Sequence, residues 1–208
     1  MNKIDFKKEL KHLYNPSPKA FSIVEVTAMQ FLMVDGHGDP NVAQEYQEAL
    51  EALYAVAYKI KFASKKELEK DYTVPPLEGL WWADNMDAFA NARDKSQWDW
   101  TMMIMQPDWI TPALFETACA LVKKKKDPAA LPKLRLETYE EGLSIQILHI
   151  GSYDDEAPTL HKLHHEFMPA HGYTFNGKHH EIYLNDPRRV APEKLKTVLR
   201  QPVAGRQQ

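Results

Sequence analysis

The run His179-His180-Glu181-Ile182-Tyr183-Leu184-Asn185-Asp186-Pro187 is where residue type and spacing bear most directly on chemistry. Read as a strand, it points Glu181 and Tyr183 to one face and Ile182 and Leu184 to the other. The apolar pair is expected against covering helices, which leaves Glu181 and Tyr183 facing an open groove. A carboxylate there can bind a cationic or donor-rich ligand, activate a water as general base, or simply pair with a nearby cation. Five tryptophans, Trp81, Trp82, Trp98, Trp100 and Trp109, fall on or beside two neighbouring strands. Two or three of them are expected in the core. The remainder, with Met103, Met105 and Tyr183, predict a flat apolar slot suited to planar ligands. Glu78 precedes Trp81-Trp82 much as Glu181 precedes Leu184. It reads either as a pseudo-symmetric second carboxylate or as an ion-paired or surface one.

Other reactive types carry less. His161, His164 and His165 share a helix at i, i+3 and i+4, but the residues between the first and last are Lys-Leu-His, without the glutamate of a His-Glu-x-x-His zinc site. They read as packed or surface histidines, and no metal is expected. Cys119 lies within an amphipathic helix and reads as a small core residue. No phosphate-binding loop, dinucleotide fingerprint or Gly-x-Ser-x-Gly elbow is present, so no cofactor is expected.

The elements that must position these groups follow from periodicity. Residues 1–19 read as a loosely attached lead-in segment that Pro16 and Pro18 terminate. Phe21–Asp35 reads as a strand running into Gly36-His37-Gly38, and Asp39-Pro40 as a helix start. Val42–Ile60 keeps helical apolar spacing. Leu77–Ala83 and Gln97–Gln106 read as strands, and a helix begins at Thr111-Pro112 with the Lys123–Lys126 run at its end. The plan then repeats: a strand over Leu143–Ile150, a helix near 156–170 opened by Asp154 and Asp155, and strands over Lys178–Leu184 and Lys194–Arg200. This predicts an α+β fold of two β-α-β-β repeats, about 20–110 and 133–203, within one domain over 20–203. Both units are expected to share one sheet, with helices on one face and a ligand groove on the other.

Composition bounds the rest. In 208 residues, 44% are hydrophobic, which excludes a disordered chain. Lys and Arg number 26 against 29 Asp and Glu, a net charge of -3, so no nucleic-acid footprint is visible in the totals. One cysteine excludes an intrachain disulfide, and no signal peptide or membrane span is seen. A cytoplasmic protein without nucleic-acid or membrane partners, monomeric or homodimeric, is expected.

The duplicated plan, Leu77-Glu78-Gly79-Leu80-Trp81-Trp82, Trp98-Asp99-Trp100, and above all His180-Glu181-Ile182-Tyr183-Leu184-Asn185-Asp186-Pro187-Arg188-Arg189 resemble the GyrI-like small-molecule-binding superfamily, over roughly residues 20–203. Many of its members are drug-binding domains of transcription regulators, in which a groove glutamate meets cationic aromatic compounds. The segment ahead of residue 20 is too short for a helix-turn-helix domain. In this the chain resembles the branch described as cyclopropanoid cyclopropyl hydrolases, which open the strained ring of DNA-alkylating natural products. The resemblance implies Glu181 and Tyr183 as the catalytic pair. Glu181, with its pKa raised by the apolar slot, is expected to deprotonate a water that Tyr183 orients. Trp82, Trp100 and Trp109 are expected to sandwich a planar aromatic substrate. The alternative expectation is a drug-sequestering or sensing module with the same slot and no turnover.

Overall fold

The computed structural model describes residues 2–83 and 95–205. Among the described residues, nine strands form one antiparallel sheet: β1 Ser22–Val26, β2 Met29–His37, β3 Leu77–Trp82, β4 Asp99–Gln106, β5 Arg135–Tyr139, β6 Gly142–Ile150, β7 Tyr173–Phe175, β8 His179–Tyr183 and β9 Lys196–Gly205. The order is β1-β6-β9-β8-β3-β4-β2-β5, with β7 pairing the far end of β9. The sheet is therefore two three-strand blocks, β2-β4-β3 and β8-β9-β6, joined where β3 runs antiparallel to β8. Their register sets Gly79 opposite Glu181 and Trp81 opposite His179. The outer strands are exchanged between blocks, because β1 pairs β6 and β5 pairs β2. The predicted duplication is thus visible in the strand pairing.

Two helical layers cover one face, each over its own block. α3 (Gln44–Glu67) buries Ala49, Leu53, Val56 and Ile60 against Leu32, Val34, Met102 and Ile104 of β2 and β4. It starts later than expected: Asp39 caps a turn, its carboxylate accepting the Asn41 N–H, and the helix follows Ala43. α4 (Pro112–Lys125) packs beside α3, and the Thr111 hydroxyl accepts the Leu114 N–H at its start. In the second block, a 3-10 turn (Tyr153–Glu156) leads into α5 (Ala157–His161). A π-helical stretch over Lys162–Phe167 and the short α6 (Met168–Ala170) follow. Leu160 packs there on Ile147 and Leu199, and Leu163 on Ile145.

The opposite face is covered by the N-terminal segment, which corrects the expectation of a loose lead-in. α1 (Phe6–Glu9) and α2 (Lys11–Tyr14) lie beneath the sheet, with Leu13 and Tyr14 almost fully buried against Ile182 and Val198. The apolar residues of β8 are therefore met by α2 and not by the long helices. The groove prediction must be turned over with them, because α3 and α5 stand apart on the helix face. Among the described residues neither helix covers the central pair β3–β8 between them, and the cleft opens there, on the same face as the helices.

Candidate functional site

The cleft has a volume of about 1210 Å³ and crosses the β3–β8 junction. Its floor carries Trp81, Glu181 and Tyr183. One wall comes from α3 (Tyr46, Leu50, Tyr54, Tyr58) and the other from the turn into α5 (Tyr153, Glu156, Leu160). Gly79 makes the floor possible. A Cβ there would lie 2.7 Å from Trp81 Nε1 and 3.1 Å from Met102 Sδ, so only glycine lets the indole fold back across the strand.

A chain of hydrogen bonds runs through that floor. Trp81 Nε1 donates to the Tyr183 hydroxyl at 3.0 Å, and that hydroxyl donates to Glu181 Oε2 at 2.7 Å. His179 Nε2 lies 3.2 Å from Glu181 Oε1, and beside a carboxylate it is the donor. Glu156 lines the same cleft. Burial pushes the Glu181 carboxyl up, but the donors around it win and hold it below the ordinary glutamate range. This reverses the expected raised pKa, which counted the apolar slot and not the donors. Burial and the adjacent Glu181 charge push the Tyr183 phenol far up, so it stays a neutral donor. Tyr153 is pushed to about 12, chiefly by burial. The aromatic walls interlock: Trp81 meets Trp98 edge-on at 5.7 Å, and Tyr153 meets Tyr183 edge-on at 5.7 Å.

Of the predicted site residues, the structure brings Glu181 and Tyr183 together in the cleft and places the others elsewhere. Trp82 points to the opposite face, where Lys178 Nζ sits 3.3 Å from its ring centroid. Parity explains this, since Trp81, two residues from Gly79, shares the cleft face. Trp100 is core: it is fully buried beneath α3, edge-on to Tyr46, with Nε1 donating to the Gly38 carbonyl. Trp109 packs on Phe6 and Tyr72 and donates to the Ser64 hydroxyl, away from the cleft. Met103 and Met105 belong to the opposite-face cluster with Phe31, Met33 and Leu80.

Glu78 is likewise on the opposite face, in a sealed network. It accepts from the Tyr14 hydroxyl at 2.8 Å and from His180 Nε2 at 2.8 Å. His180 Nδ1 reaches Glu141 at 2.9 Å, and Arg200 donates to Glu141, Gln146 and the Leu13 carbonyl. Burial alone would depress His180, but the Glu141 and Glu78 carboxylates lift it to about 9. Burial would likewise raise Glu141, yet His180 and Arg200 hold it near 2.

Glu156 is the site residue that sequence reasoning passed over. In Asp154-Asp155-Glu156 it reads as one of several acids opening a helix, although it is only 4% exposed. Its spacing of four and seven residues from the buried Leu160 and Leu163, one helical stripe, is the signal that marks it. Among the described residues, no group of three His, Cys, Asp or Glu gathers to hold a metal, and no helix is long and apolar enough to cross a membrane. His164 is buried, and its loss of hydration depresses it to about 3. Cys119 is half-buried against the α3 core, its thiol pushed up to about 11 by burial.

The sequence profile of the GyrI-like small molecule binding domain matches residues 19–204. The chain belongs to the GyrI-like family. Two solved structures are similar along the whole length of this GyrI-like domain. An uncharacterized conserved protein from Listeria innocua is 42% identical with a TM-score of 0.88, over 97% of this chain and 100% of that one. A protein from the same organism described as a hydrolase is 41% identical with a TM-score of 0.84, over 97% and 100%. The EcmrR C-terminal domain shares the fold at 9% identity, with a TM-score of 0.56 over 90% of this chain and 98% of that one. No curated protein matches in sequence.

Proposed function

We propose that this GyrI-like domain binds planar aromatic molecules in the cleft between α3 and α5 and hydrolyses the activated cyclopropane of DNA-alkylating compounds. The observation that carries the reading is the ordered carboxylate at the floor of an aromatic cleft: Glu181 held by Tyr183 and His179, with Trp81 fixing Tyr183. A hydrolase among the similar structures supports turnover in addition to binding.

In this reading the ligand lies against Trp81 and Trp98, with Tyr54 and Tyr58 of α3 bordering it. Water, held against Glu181, attacks the ring methylene. The strained C–C bond breaks, and its electrons pass through the conjugated dienone to the carbonyl oxygen as a phenolate. Glu181 takes the proton from the water. Tyr183 keeps the carboxylate aimed. The ring strain already present in such a substrate lets a base of lowered pKa suffice, and that base is ionised at neutral pH.

Mass spectrometry of a cyclopropane alkylator incubated with the protein tests this. The expected result is a gain of one water, slowed roughly 10²- to 10⁴-fold in Glu181→Gln and less in Tyr183→Phe. Ligand that binds, quenches tryptophan fluorescence and is recovered unchanged would make the domain a sequestering or sensing module and sink the catalytic reading.

A further inference from the structure

The turn that follows β8 carries two arginines that the reaction just described does not use. Arg188 and Arg189 line the cleft, yet their side chains are 85% and 84% exposed, so they stand at its mouth and not on its floor. Both are drawn to one carboxylate. Asp186 accepts the Arg188 backbone N–H at 2.9 Å, Arg188 Nε at 3.0 Å and Arg188 Nη2 at 2.9 Å, and Arg189 Nε lies 3.6 Å away. Two cations share one anion, so the turn keeps an excess of positive charge. A guanidinium also has more N–H donors than one carboxylate oxygen pair can take, and the fork of Arg188 is already oriented by Asp186.

The floor has the opposite sign, because Glu181 sits there as an acceptor for His179 and Tyr183. On the walls, Lys7 and Lys126 add cations and Glu51 a carboxylate. An anionic group carried to the floor would meet the Glu181 carboxylate, whereas one left at the mouth meets the arginines. Between the two ends lie aromatic and apolar side chains that take a ring system. The charges therefore favour a molecule that enters ring first with an acidic substituent trailing behind it. We propose that Arg188 and Arg189 form an anion subsite at the mouth of the cleft, which selects aromatic acids such as aryl sulfonates and carboxylates and seats them ring inward. This rests on the reading of the cleft as a site for planar aromatic molecules.

The probes are N-phenyl-1-naphthylamine and 8-anilinonaphthalene-1-sulfonate, one ring framework without and with a sulfonate, titrated by their own fluorescence into the intact chain. In dilute buffer the sulfonate is expected to bind roughly three- to tenfold more tightly, the scale of exposed charge pairs, and to displace the neutral probe. At about 1 M salt, where screening cuts in beyond about 3 Å, that preference is expected to vanish. The double variant Arg188→Gln, Arg189→Gln is expected to lose the preference in dilute buffer and to bind the neutral probe as wild type does. Its unfolding midpoint checks the fold, and the salt arm reads the same interaction in the unaltered chain. Lys123→Gln with Lys124→Gln removes equal charge from the end of α4, outside the cleft lining, and is expected to keep the preference. A preference that survives in the arginine variant or at high salt overturns the proposal, as does an equal loss in the lysine variant or a sulfonate that leaves the neutral probe in place. A neutral probe that binds as tightly as the sulfonate overturns the subsite alone. If neither probe binds, the aromatic reading of the cleft falls with it.

Discussion

On one face of β8, His180 donates through both ring nitrogens to Glu78 and Glu141. On the other, its neighbour His179 donates to Glu181. The buried face closes its charges completely: His180 and Arg200 against Glu78 and Glu141, with Tyr14, Gln146 and the Leu13 carbonyl taking the remaining bonds. The cleft face sets His179 beside Glu181, which keeps 13% of its side chain exposed and lines the cavity. Both faces use the same residue types at alternate positions of one strand. What differs is that the first is sealed by α2, whereas the second borders the cavity. Structure and chemistry are thereby separated by the two-residue period of a strand.

The largest effect that would break this comparison is on stability. Arg200→Met strips Glu141 and Gln146 of a partner in a sealed site and frees the Leu13 carbonyl. Removing one member of a buried charge pair costs about 3–5 kcal/mol. Chemical denaturation is expected to read that loss, and to read no more than about 1 kcal/mol for Glu181→Gln, where a neutral acceptor remains for the same donors. Equal losses for the two variants would show that the cleft face is structural too.

The strand alternation that divides the faces is legible in the sequence, and it correctly puts Glu181 with Tyr183. Which face is open is not. That depends on what covers Ile182, and the cover is Leu13 and Tyr14, two residues in a Lys-rich segment with too little periodicity to announce a docked helix. Once the face is reversed, Trp81 replaces Trp82 and the Met103 and Met105 side falls away from the ligand. Strand β5 is unmarked because Arg135-Leu136-Glu137-Thr138-Tyr139 is an edge strand whose exposed side chains are polar. Glu141 reads as a turn acid before Gly142, and only the tertiary arrival of His180 and Arg200 reveals it as a buried counter-ion.

A second, smaller and reversible effect sharpens the contrast through pH. His180 is lifted from 6.5 to about 9 in the folded state, so its contribution is complete below pH 6.5 and fades as pH rises through 9. Glu141 is depressed from 4.5 to about 2, so its contribution is complete above pH 4.5 and is lost as pH falls through 2. Maximal stability is expected between about pH 4.5 and 6.5, with the alkaline decline spanning 6.5 to 9. Nitrogen NMR should find the His180 ring protonated at both nitrogens at pH 7.5. A neutral His180 at that pH would mean the buried charges are not balanced as drawn.

The smallest expected effect isolates the cleft face by packing, with no charge changed. Gly79→Ala places a methyl 2.7 Å from Trp81 Nε1 and 3.1 Å from Met102 Sδ, and the indole has the freer exit because it borders the cavity. Overpacking of this kind costs about 1–3 kcal/mol at a fully enclosed site. Here the open side lets the ring swing out, so the low end of that range is expected. The cost falls instead on the hydrogen-bond chain, since a displaced indole no longer donates to the Tyr183 hydroxyl, and Tyr183 loses the contact that fixes its aim at Glu181. Trp81 emission should shift toward that of a solvated indole, and affinity for a planar ligand should fall several-fold. Gly205→Ala, where a Cβ meets nothing within 4 Å, should leave both unchanged. If Gly79→Ala binds and fluoresces like wild type, the indole is not held across the strand by the missing side chain. The ordered floor would then have to come from the walls of α3 and α5.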